Sequence, residues 1–159
     1  MTYTLSEPLI NALVSRLTSD LPAEVAAVNT RTSDGFQISM PEVMDFIPPP
    51  GLLVNYPAIG IGEAPASFED DIGSSATGVF ELLVVVYEQA ADQRELAWKL
   101  RRHSQAVSST VLKGRQLGPA WGVTLRHIDP GETLVDDPTS PQEWMSWVGL
   151  RIVCRTDQE

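Results

Sequence analysis

Near the start of the chain, apolar residues recur at helical spacing. Leu9, Ile10, Leu13, Val14 and Leu17 fall on one stripe of an amphipathic helix. Thr4 and Glu7 form a capping-box pattern ahead of it, Pro8 suits a first turn, and Pro22 predicts an end near Asp20 or Leu21. Beyond that stop, Glu24–Asn29 reads as a short strand. After an Asp34-Gly35 turn, Phe36–Met40 alternates like another, and Pro48-Pro49-Pro50-Gly51 predicts rigid loop. The stretch from about 30 to 55 is thus expected to be a long loop or arm. Tyr56–Gly62 predicts an edge strand, because a proline cannot donate to a ladder and glycines pack little.

The strongest unit lies in the middle. Gly78–Glu88 is apolar on both faces at its centre, as an interior strand covered on both sides should be. Asp92 is placed to cap a helix from Gln93, whose Leu96, Leu100, His103, Val107 and Val111 step by four, three, four and four towards Gly114. Trp121–Asp129 then alternates like a strand, with a turn expected at Pro130-Gly131. Trp144–Cys154 alternates again, with Trp144 and Trp147 on opposite faces, and a short polar tail follows from Arg155. Residues 1–159 read as a single α+β domain: a mostly antiparallel sheet of about five strands, with two main helices packed on one face.

Composition narrows the function. The 159 residues include a single cysteine, so no intramolecular disulfide is possible, and the net charge of −10 disfavours a free-standing duplex-DNA binder. The longest fully apolar run, Leu82–Tyr87, is one strand long, and MTYTLSEPLI carries neither the basic region nor the apolar stretch of a signal peptide. The expectation is a soluble protein of a reducing compartment.

Motifs for chemistry fail one by one. His103 and His127 stand on different elements, and His103 lies on an apolar helix stripe, where a hydrogen-bonded core histidine is the commoner outcome. Cys154, in mid-strand, reads as a small buried hydrophobe. Gly73-Ser74-Ser75-Ala76-Thr77 departs from a nucleophile elbow at its last position and precedes a strand instead of following one. Gly60-Ile61-Gly62 is followed by Pro65 where a dinucleotide fingerprint needs glycine. The expectation is no enzyme, no metal and no cofactor.

Charge distribution says more. Arg94, Lys99, Arg101, Arg102, Lys113 and Arg115 share one stretch whose only acid is Glu95, so that stretch carries +5 and the remainder −15. A solvated helix face accounts for this as readily as an interface with an acidic surface. Trp98 favours the interface, because it falls off the apolar stripe next to Arg101 and Arg102, a hot-spot composition. Trp98, Arg94, Arg101, Arg102, Trp144 and Trp147 are therefore the candidate subunit-interface residues.

In element order the chain resembles the tail terminator (tail completion) proteins of long-tailed bacteriophages. The likeness rests on the opening helix, the strand Tyr56-Pro57-Ala58-Ile59-Gly60-Ile61-Gly62, the strand–helix unit Val79–Lys113 and the closing Trp144–Arg155. The resemblance implies an α+β fold without catalytic activity, assembled in the host cytoplasm into the virion's tail or neck. It further implies a homohexameric ring on the last ring of tail-tube protein. Such a ring ends tube polymerisation, receives the head-completion or connector protein, and lets genomic DNA pass its lumen without specific binding; no membrane is involved. Within that picture Glu69, Asp70, Asp71, Asp136 and Asp137 are candidate lumen or rim acids, since like charge keeps passing DNA from sticking. Two alternatives stand beside it: a head-closure or head–tail joining neck protein and, of a different class, an acidic cytoplasmic binding or inhibitor module.

Overall fold

The computed structural model describes residues 6–49, 55–63, 78–113, 123–135 and 144–156. Helix α1 spans Ser6–Arg31 and strand β1 Glu42–Met44. They are followed by β2 (Ala58–Glu63), β3 (Gly78–Ala90), α2 (Gln93–Leu112), β4 (Val123–Val135) and β5 (Trp144–Thr156). The class is α+β.

Helix α1 does not stop at Pro22. A mid-helix proline costs roughly 3 kcal/mol, and here the carbonyl it leaves unpaired, on Thr18, lies on an exposed turn where water can reach it. Continuing the helix buries Leu21, Val25 and Val28 on the stripe already made by Leu9, Leu13 and Leu17. Each such side chain contributes about 1.5–3 kcal/mol, so the three together outweigh the proline. The expected strand at Glu24–Asn29 is therefore the last part of this helix.

The strand expected at Phe36–Met40 does not form either. Instead the Asn29 side chain serves as its ladder partner: Nδ2 donates to the Ile38 carbonyl at 2.8 Å and Oδ1 accepts from the Ile38 amide at 2.9 Å. Ile38 is thereby buried without a strand. The Asp34-Gly35 turn is present, with Gly35 at φ +83° and the Phe36 amide donating to Asp34 Oδ1. Extended structure begins only at β1.

The sheet has the order β1-β2-β3-β5-β4. Three of its pairings are antiparallel, but β1 joins β2 in parallel, so the sheet is mixed. β1 occupies the edge expected for Tyr56–Gly62, because Pro57 precedes β2 and its carbonyl accepts the Glu42 amide. Pro130-Gly131 makes no turn: β4 runs through it, and the ladder absorbs it as an irregularity between Pro130 and Thr133. β5 extends to Thr156, two residues into the expected tail. The Thr4 cap, the Glu63–Thr77 loop past Glu63, Gly114 and Trp121 lie outside the described residues.

Alternation sorts the sheet's two faces. Ile59, Ile61, Leu82, Val84, Val86 and Leu150 are buried in the main core under the helices. There α1 packs over β1, β2 and β3, while α2 packs over β3, β5 and β4. On the other face, Ala58, Val85 and Tyr87 form a smaller cluster with Met44, Ile47, Tyr56 and Leu83. The chain after β1 crosses this face as a strap, and it can do so because two strand positions lack side chains. A Cβ on Gly60 would stand 2.8 Å from the Phe46 carbonyl oxygen and 2.9 Å from the Pro48 ring. One on Gly62 would stand 2.9 Å from Ile47 Cδ1. The Tyr87 hydroxyl fastens the strap by donating to the Pro48 carbonyl at 2.8 Å. Part of the 30–55 excursion is thus laid on its own sheet.

Candidate protein-interaction surface

Helix α2 carries four of the six candidate interface residues, and its start is set by chemistry the sequence announces. Asp92 adopts an extended conformation, and its carboxylate accepts from the Arg94 amide at 2.6 Å, a cap that contributes about 1 kcal/mol. The stripe Leu96, Leu100, His103, Val107 and Val111 is buried as its spacing requires.

Arg115 lies outside the described residues, and the other basic residues of this stretch divide into two sets. Three are satisfied within the chain. Lys99 pairs with Glu95 at 3.0 Å one turn away, and Lys113 reaches the buried Glu24 of α1. Arg102 is only 5% exposed and binds both the Asp34 carboxylate and the Phe36 carbonyl. It is therefore turned inward and not on the helix surface as expected, because the turn after α1 presents two acceptors to it. The Arg102 guanidinium holds the Asp34 carboxyl below the usual carboxylate range, against a smaller opposing effect of burial.

The second set faces outward. Arg94 and Arg101 are exposed, and Trp98 between them is 38% exposed. The Arg101 guanidinium lies 5.2 Å from the Trp98 ring centroid and that of Arg102 lies 5.9 Å away, both within cation–π range. The result is an aromatic–cationic face whose indole rests on a guanidinium anchored from below.

Trp144 and Trp147 occupy β5 positions opposite Ala90 and Tyr87 of β3. Glu69, Asp70, Asp71, Asp136 and Asp137 lie outside the described residues.

His103 is the hydrogen-bonded core histidine that its stripe position predicts, but two features lie outside the predicted candidates. Glu88 has the same alternation parity as Leu82, Val84 and Val86, so it points under the helices, where its Oε2 meets His103 Nε2 at 2.8 Å. Both side chains are buried, and His103 Nδ1 has no partner among the described residues. Closed to solvent, the pair ties α2 to β3 and offers nothing to a substrate. The parity of Glu88 was readable, but its partner required the helix's position. The second feature is Phe46, 55% exposed on the strap. Its signal was a lone aromatic beside Asp45 in an otherwise proline-rich stretch.

Burial raises the Tyr56 and Tyr87 hydroxyls above the ordinary tyrosine range, and for Tyr87 the neighbouring Tyr56 adds to the effect. Among the described residues, no group of three or more His, Cys, Asp and Glu side chains could hold a metal ion, and no helix is long and apolar enough to cross a membrane.

A solved structure shares this fold over nearly the whole chain. It is a chain of the virion of a native gene transfer agent particle, similar over 97% of this chain and 99% of that one, with a TM-score of 0.53 and 18% sequence identity. No protein-family profile matches the chain, and no curated protein does. At that identity the likeness establishes the shared fold.

Proposed function

We propose that this chain is a structural component of a phage-like virion and acts there as a tail terminator. In this reading its copies form a ring, with six the expected number, on the last ring of tail-tube protein. The ring ends tube polymerisation and presents the surface that the head connector binds. The observation that carries the proposal is the fold shared, over nearly the whole chain, with a chain of a gene transfer agent virion. The element order of the tail terminators supports the same reading, as does an exposed Trp–Arg face suited to protein contact and not to a small substrate.

The protein carries out no chemistry in this role and needs no cofactor. Glu69, Asp70, Asp71, Asp136 and Asp137 are proposed to line the lumen or rim, where negative charge keeps the passing DNA from adhering. Electron microscopy of particles made without the protein tests the reading, paired with light scattering of the purified chain. The expected result is overlong, headless tubes and a ring-sized oligomer. Tubes of normal length lacking heads would replace the terminator with a head–tail joining role. Normal particles together with a monomeric protein would overturn both.

A further inference from the structure

Two exposed surfaces of this chain complement each other. The first is the outer face of α2, where Arg94, Trp98 and Arg101 follow at steps of four and three. Of the acids near it, Asp92 caps the helix, Glu95 holds Lys99 and Asp34 holds Arg102, so the Arg94 guanidinium has no acidic partner among the described residues. The second surface lies at the β1–β2 edge. Glu42 stands in β1 with the same alternation parity as Met44, on the strap's face of the sheet, and Asp45 follows β1; both are exposed, with Phe46 next to Asp45 more than half exposed. Among the described residues Glu42 accepts only from the neutral Asn55 amide, and Asp45 has no cationic partner. One surface is thus an aromatic flanked by guanidiniums, and the other an aromatic beside carboxylates.

A single copy cannot join them. The β1–β2 edge lies beneath α1, whereas α2 lies over β3, β5 and β4. We propose that the Arg94–Trp98–Arg101 face of α2 docks the Glu42, Asp45 and Phe46 edge of a second copy of this chain. The contact is heterologous: each copy offers its helix face to one neighbour and its acidic edge to the other, which is the arrangement that closes into rings. Matched charges fix the register and exclude like-to-like contact, while Trp98 and Phe46 supply the desolvated apolar area. This inference rests on the ring reading above and names the surfaces that would build the ring.

A charge swap tests it. One variant combines Arg94→Glu with Arg101→Glu, and a second combines Glu42→Arg with Asp45→Arg. All the altered side chains are exposed, and circular dichroism with thermal melting confirms that each variant folds. Oligomeric state is read by sedimentation and light scattering. The wild type is expected to form rings, and each variant alone is expected to dissociate at least about 100-fold more readily, because like charges then face each other. An equimolar mixture of the two should reassemble into rings with the variants alternating. A single chain carrying all four substitutions should assemble by itself. Trp98→Ala, with every charge kept, should also weaken assembly.

If the wild type forms rings and either charge variant does so equally well, these surfaces are not the interface, though the ring reading stands. If both variants dissociate and neither the mixture nor the fourfold variant reassembles, the two surfaces do not meet. A wild type that stays monomeric at every concentration overturns this inference, and the particle phenotype then judges the terminator role separately.

Discussion

Replacing Gly60 by alanine sets two effects of known sign against each other. Glycine inside a strand is unfavourable by roughly 0.5–1 kcal/mol relative to alanine, so propensity alone predicts that Gly60→Ala stabilises the protein. The strap predicts the reverse. The new Cβ would meet the Phe46 carbonyl oxygen at 2.8 Å, the Pro48 ring at 2.9 Å and Ile47 Cα at 3.0 Å. None of these is the free end of a flexible side chain, so the strap must lift. Overpacking of this kind costs about 1–3 kcal/mol. Lifting the strap also breaks the buried hydrogen bond from Tyr87 to the Pro48 carbonyl, at about 1–3 kcal/mol. The net expectation is a loss of about 2–4 kcal/mol, or a fall in melting temperature of roughly 5–15 °C for a domain of this size. Urea titration with circular dichroism measures it. Tyr87→Phe completes a double-mutant cycle, in which the two losses should fall short of additive because both release the same strap. Gly62→Ala, which meets only the movable end of Ile47, should cost less than about 1 kcal/mol. A Gly60→Ala protein as stable as the wild type would refute the strap's close approach.

Further expectations follow from the charged and buried groups. Arg102 depresses the Asp34 carboxyl, so its stabilisation is complete above the unfolded value of about 3.9 and is lost as pH falls through the lower folded value. The stability gap between wild type and Asp34→Asn should therefore stay constant at neutral pH and narrow below about pH 4. Tyr87, raised by burial, contributes below the unfolded value of about 10 and loses that contribution as pH rises through its folded value; Tyr87→Phe should flatten this alkaline loss in thermal melts. Glu88→Leu should cost about 2–4 kcal/mol by stripping His103 of its one buried partner, and adding His103→Leu should recover part of that, as chemical denaturation can show.

What could be read from the sequence followed the strength of local periodicity. β3 and α2 were legible because each has an unbroken pattern and, for α2, an explicit cap at Asp92. The end of α1 was not, since a proline is a local signal while the burial of Leu21, Val25 and Val28 depends on a sheet formed far along the chain. The same holds for Ile38, whose partner is the Asn29 side chain and not a strand. The surface was half visible. Trp98, Arg94 and Arg101 could be placed outside the apolar stripe by counting residues, whereas Arg102, one position further, turns inward for acceptors that only the turn at 34–36 could bring to it.

Three ties fix α2 in the molecule. Arg102 holds it to the 34–36 turn, Lys113 to Glu24 of α1, and His103 to Glu88 of β3. A helix secured at one point can roll or tilt under a pull, whereas one secured towards three different elements does neither without moving them. Force applied at Trp98 is therefore passed to the first helix and into the central strand of the sheet, so these three elements would answer tension together.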